Sequence, residues 1–323
     1  MLPAVLIEAF AEAPCNGNGA AVVLLQEPAT AAWMQAVAGS LRQSETAFLL
    51  QDQGHWLLRW FTTGCEVPLC GHATLAALLA LRHWGHLAPG ASSLFHTRSG
   101  PVAVALDPVD PCRGSLVLPS SGLQPAPIPA ALTTVLVQEL GQAPLAFWTS
   151  PLGYATALLD PSAALEELGA LVEHLPQALR PGLVLMQALT GSGARPRPRV
   201  SGEAADYQLR FFAPGLGIDE DPVTGSAHAL VAPWWQEQLG RSRVIGWQCS
   251  DRPGGVVCEA HSSAMIRLIG SGHLLWEGNL LARPPGPASP HSGSLASSCE
   301  DAAASWFSLC PGACSVSCAP TRS

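Results

Sequence analysis

The sequence predicts an α+β fold built from two pseudosymmetric halves, each a buried central helix wrapped by a mixed, curved β-sheet. Three observations predict it. A block repeats: Leu58-Arg59-Trp60-Phe61-Thr62-Thr63-Gly64 aligns with Leu209-Arg210-Phe211-Phe212-Ala213-Pro214-Gly215 at an offset of 151, and Gly71-His72-Ala73 with Gly225-Ser226-Ala227 at an offset of 154. A period of that length marks a duplicated domain, since solenoid repeats run about 20–50 residues. Both copies then enter an apolar segment ending in tryptophan, at 74–84 and 228–235. Residues 73–81 have Thr74 as their only polar member, so a helix there must be buried on every side. Strands must therefore surround it. Short apolar runs bounded by turn residues supply them.

The elements follow in order. Residues 20–25 and 47–51 read as strands, and 30–42 as a helix with Trp33, Met34, Val37 and Leu41 on one face and Pro28 near its start. Residues 55–62 and 207–213 read as strands of bulky side chains, each followed by a Gly/Pro-rich loop and then the apolar helix. The expected division is 1–115 and 116–283 for the halves. A low-complexity segment, 284–323, opens with Pro284-Pro285-Gly286-Pro287, reads as a disordered extension, and holds Cys299, Cys310, Cys314 and Cys318 without paired CxxC spacing, so no metal is expected there.

The chain has 323 residues, 48% hydrophobic and 12% charged, which excludes a disordered or highly charged protein. A net charge of −8 argues against nucleic acid as the main partner. All 16 basic residues are arginine. Without lysine there is no Schiff-base chemistry and no GxxxxGK[ST] phosphate loop. The apolar run 73–81 is far short of the ~20 residues that span a bilayer. The first 25 residues carry Glu8 and Glu12 but no basic residue, unlike a secretory signal, so a cytoplasmic protein is expected. Cys15, Cys65, Cys70, Cys112, Cys249 and Cys258 then read mostly as small buried hydrophobes.

The chemistry is sought at the two loop-to-helix junctions. Gly71-His72 and Gly225-Ser226 each place a glycine and a polar residue at a helix N-terminus, where free N–H groups and the dipole attract an anion. Simple N-capping by Ser or Thr is the plainer reading of each junction alone. As a symmetric pair they can face one cleft and hold a small carboxylate from both sides. Of Asp219, Glu220 and Asp221, the first two read as charge–dipole placement. Asp221, nearest the junction, is the candidate. Gly17-Asn18-Gly19 reads as a turn whose Asn18 could also reach a ligand. Glu45, between a helix and a strand, reads on pattern alone as a solvated turn residue. His83 and His86 lack a third ligand, and neither HExxH nor GxSxG occurs.

At these residues the sequence resembles the PhzF-like phenazine-biosynthesis proteins. The matching strings are Ser44-Glu45-Thr46-Ala47-Phe48, Leu69-Cys70-Gly71-His72-Ala73-Thr74-Leu75-Ala76, Arg210-Phe211-Phe212-Ala213-Pro214, Glu220-Asp221-Pro222-Val223-Thr224-Gly225-Ser226-Ala227-His228 and Gln248-Cys249-Ser250. The resemblance implies a diaminopimelate epimerase-like fold with the site between the halves, a homodimer, and no cofactor. It implies an isomerase that moves a proton within a small carboxylate-bearing metabolite, with no nucleic-acid or membrane partner. It also implies that Glu45 carries the proton, with His72 and Asp221 as further catalytic residues. Ser226, Gly71, Gly225 and Asn18 complete the substrate site.

The chain departs from the family pattern at Glu8-Ala9-Phe10 (Asp-Ala-Phe is usual), at Gly17-Asn18-Gly19 (GNP is common) and at Arg252-Pro253-Gly254-Gly255, where Pro interrupts RGG. Two other readings stand beside the isomerase. One is a racemase with Cys70 as base, weakened because the matching region of the second half has no cysteine. The other is a non-catalytic interaction protein that keeps the fold.

Overall fold

The computed structural model describes residues 1–169, 171–189 and 196–284. Most of the segment 284–323, including Cys299, Cys310, Cys314 and Cys318, lies outside the described residues.

Eight strands form around the first central helix: β1 (Leu2–Ala9), β2 (Asn18–Leu25), β3 (Glu45–Asp52), β4 (His55–Phe61), the short β5 (Glu66–Val67), β6 (Ser92–Thr97), β7 (Gly100–Leu106) and β8 (Arg113–Pro119). The second set is β9 (Gln124–Pro125), β10 (Ala146–Thr149), β11 (Ala155–Leu158), β12 (Leu183–Ala188), β13 (Arg199–Val200), β14 (Glu203–Ala204), β15 (Tyr207–Ala213), β16 (Ile218–Asp221), β17 (Arg243–Gln248), β18 (Gly254–Ser262) and β19 (Met265–Leu280). Among the described residues five α-helices accompany them: α1 (Ala31–Leu41), α2 (Gly71–His83), α3 (Ala130–Leu140), α4 (Leu171–His174) and α5 (Gly225–Leu239).

The long strand β19 joins the two sets. Its first part pairs with β18 and, from Met265 to Ser271, with β8; from Gly272 to Leu280 it pairs with β1. The path β1–β2–β3–β4–β6–β7–β8–β19 thereby returns to β1 as a closed ring, mixed because β2–β3 and β4–β6 are parallel. The second path runs β10–β11–β12–β15–β17–β18–β19, with β11–β12 and β15–β17 parallel.

Inside the closed ring sits α2, and against the second path lies α5, as their mostly apolar surfaces require. Every residue of α2 from Gly71 to Leu81 is buried, against β1, β2, β3, β7, β8 and β19. In α5, Ala227 to Ala232 and Trp235 are buried against β8, β17, β18 and β19. Pro233 interrupts the ladder of this helix, and Trp235 stacks on Tyr207 at 5.1 Å. Outside, α1 carries Met34, Val37 and Ala38 onto Phe48 and Phe61, its start capped by Thr30 Oγ1, which accepts from Trp33 N at 3.3 Å. The helix α3 sets Leu132 and Leu136 on Phe147, Leu185 and Phe212.

The repeated strands carry matching ion pairs. Arg59 reaches Glu66 with Nε and Nη2, both at 2.7 Å. Arg210 grips Glu220 with Nε at 2.7 Å and Nη2 at 2.5 Å, and also donates to the Leu165 and Leu168 carbonyls. Glu220 thus belongs to a two-pronged ion pair on β16, which corrects its expected placement at the α5 dipole. The six cysteines of the described residues are free thiols, and Cys70, Cys249 and Cys258 are buried. Cys15 is exposed, and Cys65 and Cys112 are half-buried, so burial holds for only half of them. Among the described residues no helix is long and apolar enough to cross a membrane.

Candidate active site

The N-termini of α2 and α5 abut, glycine to glycine. A Cβ on Gly71 would lie 3.2 Å from Gly225 Cα, and one on Gly225 would lie 3.3 Å from Gly71 Cα. Leu118, Leu268 and Phe10 close the remaining space. Backbone this close cannot yield to a methyl without moving a helix. Gly225→Ala is therefore expected to destabilise the protein by about 1–3 kcal/mol, as overpacking does. The urea midpoint reads it, and a midpoint equal to that of the wild type would show that the helices are free to part.

Neither helix is capped by its N-cap side chain. Cys70 and Thr224 hold the N-cap positions, and neither makes a capping bond. This overturns the plainer reading of the junctions. Thr224 Oγ1 instead donates to Asp221 Oδ2 at 2.6 Å, and its N–H donates to Gln248 Oε1 at 2.8 Å. Gln248 Nε2 donates to the Asp221 carbonyl at 2.6 Å, so the loop from Asp221 to Thr224 is tied to β17.

The residues singled out in the sequence meet here. Glu45 is the first residue of β3 and is buried, not a solvated turn residue; its Oε2 lies 3.0 Å from His72 Nε2. Asn18, fully buried at the start of β2, links the two halves. Its Nδ2 donates to Asp221 Oδ1 at 2.6 Å and to the Val223 carbonyl at 3.1 Å, and lies 3.1 Å from His72 Nδ1. Gly17 is the turn residue of that motif, with φ +70°. Ser226 sits one residue into α5 and stays partly open.

Electrostatics bind this cluster. Burial pushes Asp221 up to about 6; His72 opposes that rise, Glu45 adds to it, and the bonds from Thr224 and Asn18 oppose it. Burial pushes the Cys70 thiol up to about 11, aided by Glu45, so the thiol is uncharged near neutrality. Burial alone would lower His72, but Cys70 and Glu45 outweigh it and hold the imidazole well above its ordinary value. With the thiol neutral, the effective anion is the Glu45 carboxylate. The Asn18 amide group works the other way, favouring a lone pair on Nδ1. In either state Nε2 faces Glu45 Oε2 across 3.0 Å, an ion-pair contact without the alignment of a hydrogen bond.

Glu45, Cys70 and His72 offer three ligand atoms within 4.8 Å of one another. Cys70 Sγ is 3.5 Å from Nδ1 and 3.9 Å from Nε2, nearly equidistant, and so lies off both lone-pair directions of the ring. That arrangement does not fit a metal held by the imidazole and the thiolate together.

Two features escaped the sequence. Tyr154, one of only two tyrosines in the chain, stands in the turn before β11 with its ring 4.8 Å from Phe211. A lone tyrosine in a Gly-containing turn was the available signal. The departures from the family pattern also converge: Arg252 pairs with the buried Glu8, whose Oε2 accepts from Cys15 N at 2.6 Å, and Gly17 N donates to the Pro253 carbonyl at 3.0 Å. The longer acid and the displaced arginine thus answer one another beside Asn18. His83, expected to lack partners for a metal, pairs with Glu277 at 2.6 Å.

Comparison with known proteins places the chain. The sequence profile of the phenazine biosynthesis-like proteins (PhzC-PhzF) matches residues 7–274. An uncharacterized isomerase of Pseudomonas aeruginosa is 36% identical over 252 residues, covering 78% of this chain and 88% of the relative. The human phenazine biosynthesis-like domain-containing protein is 33% identical over 298 residues, covering 87% of this chain and 99% of the relative. A crystal structure of a PhzF-family protein from Enterococcus faecalis superposes with TM-score 0.72 at 29% identity, covering 86% of this chain and 98% of that one. With a ringed α+β fold of the diaminopimelate epimerase-like kind and these relatives, the chain belongs to the PhzC-PhzF phenazine biosynthesis-like family, an isomerase- and epimerase-type enzyme family acting on small metabolites.

Proposed function

We propose that the chain is an acid–base isomerase that moves a proton within a small carboxylate-bearing metabolite, with Glu45 as the proton carrier. The observation that supports this reading is the buried Glu45–His72 pair, 3.0 Å apart, at the abutting N-termini of α2 and α5.

The steps follow from the residues. The Glu45 carboxylate takes a proton from one carbon of the substrate, and the electron pair left behind shifts into the adjoining unsaturated system. The same carboxyl group returns the proton at another carbon, so nothing is consumed. His72 Nε2–H holds the carboxylate in place and steadies its charge between the two transfers. First-turn N–H groups of α2 and α5, not occupied by their N-cap side chains, receive the substrate carboxylate and the charge that develops on it. Asp221 positions Asn18, and through it the His72 ring. The rival base, Cys70, is a thiol pushed up to about 11, and its counterpart in the second half is Thr224.

The test is a metabolite extract incubated with the protein in heavy water. A proton carrier open to solvent exchange washes deuterium into its substrate at carbon, and mass spectrometry finds one metabolite gaining a single mass unit. An extract in which the protein labels nothing would remove the enzymatic reading in favour of a binding protein.

A further inference from the structure

We propose that Arg252 is a positioning residue of this site: through the buried Glu8 it fixes the turn that carries Asn18, and through Asn18 it sets the His72 ring. Its consequence for turnover rests on the reading of the site as a proton shuttle; the placement itself can be read without a substrate.

The turn between β1 and β2 does not hold itself. Phe10, Cys15 and Gly17 have φ of +56°, +67° and +70°, and the left-handed region is uncommon for the first two. Such a backbone persists only where its surroundings over-determine it. Here the holds come from outside the turn. Ala11 N donates to the Ser271 carbonyl at 3.1 Å, Gly17 N to the Pro253 carbonyl at 3.0 Å and Gly255 N to the Phe10 carbonyl at 3.0 Å. Glu12 Oε2 accepts from Ser201 N at 2.7 Å. Cys15 N donates to Glu8 Oε2 at 2.6 Å, while Glu8 Oε1 pairs with Arg252 Nη2. The Glu8 side chain is 2% exposed and that of Arg252 45%. A buried carboxylate stays charged, and a strong acceptor for Cys15 N, only while a cation faces it. Arg252 is that cation.

The same segment reaches the other end of the Asn18 contact. Gln248 bonds the Asp221 carbonyl and Thr224 N, and Ser250 Oγ donates to the Pro222 carbonyl at 2.8 Å. Arg252, Pro253 and Gly255 then tie down Glu8, Gly17 and Phe10. Residues 248–255 thus set both partners of the 2.6 Å bond from Asn18 Nδ2 to Asp221 Oδ1. That amide has two protons for three acceptors: Asp221 Oδ1, the Val223 carbonyl and His72 Nδ1, the last two at 3.1 Å. Which of them it serves depends on where the turn places it. Pro253, which parts the arginine from the glycine pair, itself supplies the carbonyl for Gly17, so the departures at Glu8 and Pro253 act on one turn.

The experiment follows the His72 ring by NMR across pH in the whole protein, with heavy-water wash-in beside it. Arg252→Ala is expected to raise the pH at which His72 titrates by about 0.5–1 unit, because a displaced Asn18 donates less to Nδ1 and that bond favours the neutral ring. Glu45 and Cys70, the other groups at the ring, are untouched by the substitution. Wash-in is expected to fall about 10–100-fold, as a small displacement of catalytic groups does. Arg252→Lys, which keeps a cation for Oε1, is expected to restore both. In the Asn18→Ala background, Arg252→Ala is expected to move the titration no further, since its route to the ring is gone. Should Arg252→Ala not fold, Arg252→Gln, which keeps an N–H for Oε1 without the charge, is expected to give a smaller shift of the same sign. An unmoved His72 titration in the folded variant, a shift that persists in full without Asn18, or a lysine variant no better than alanine would each overturn the assignment. An extract that takes up no label removes the proton shuttle and leaves the titration to decide this placement; an unmoved ring removes the placement and leaves the shuttle.

Discussion

Glu45→Gln is expected to lower the rate of deuterium wash-in by about 10²–10⁴-fold, the range lost when a positioned acid–base group is removed. The substitution keeps the shape of the side chain and an oxygen beside His72 Nε2, so the contact is kept while the proton carrier is gone. The fold should survive, because the neutral amide replaces a buried anion and asks for less solvation. A second readout is independent of substrate. Glu45 is one of the groups that hold His72 well above its ordinary value, and without its charge the burial of the ring is less opposed. The His72 imidazole is therefore expected to titrate at lower pH in Glu45→Gln than in the wild type, followed by NMR of the ring protons. Wash-in that stayed within a few-fold of wild type would move the chemistry to another group. An unmoved His72 titration would mean the carboxylate is not its partner in solution.

The duplication was legible because it is written twice. The Leu-Arg-aromatic strand and the Gly-led apolar helix recur, and a helix such as α2 with no polar face can exist only inside a ring of strands. The junctions Gly71-His72 and Gly225-Ser226 were legible for the same reason. Glu45 was not. Nothing local distinguishes a glutamate before a strand from a solvated turn residue; its burial is produced by β2 alongside and α2 beneath, both remote from it in sequence. It emerged only from the family resemblance. Asn18 was half legible: Gly17 does make the turn, but the bond from Asn18 to Asp221 crosses 203 positions and has no local signature. Tyr154 had none beyond its rarity, because room for its ring depends on the glycine at 182, just before β12. Glu220 was misread because a carboxylate ahead of a helix looks like a dipole partner. The arginine that captures it comes from the neighbouring strand.

A second large effect is expected on acid stability, and it comes from a group outside the site. His228, in α5, is fully buried; its Nδ1 shares a hydrogen bond with the Tyr207 hydroxyl at 2.9 Å, while Nε2 has no hydrogen-bond partner. Burial lowers it from 6.5 to about 3, so the folded protein keeps this imidazole neutral. An unfolded chain takes up the proton below about pH 6.5, and the folded one does not. The unfolded state therefore binds more protons in that window. The stability this histidine supplies is present above pH ~6.5 and is lost as pH falls toward ~3, at about 1.4 kcal/mol per unit. Asp221 works in the opposite sense: raised to about 6, it favours the folded state as it gains its proton. The wild-type curve alone mixes the two, and the difference from His228→Gln isolates the first. Glutamine can still hydrogen-bond the Tyr207 hydroxyl but does not titrate. Between about pH 7.5 and about pH 4.5 the wild type is expected to lose roughly 3 kcal/mol more unfolding free energy than the variant, measured by urea titration at each pH. Parallel curves would mean that water reaches His228 and that the α5 core is looser than its packing implies.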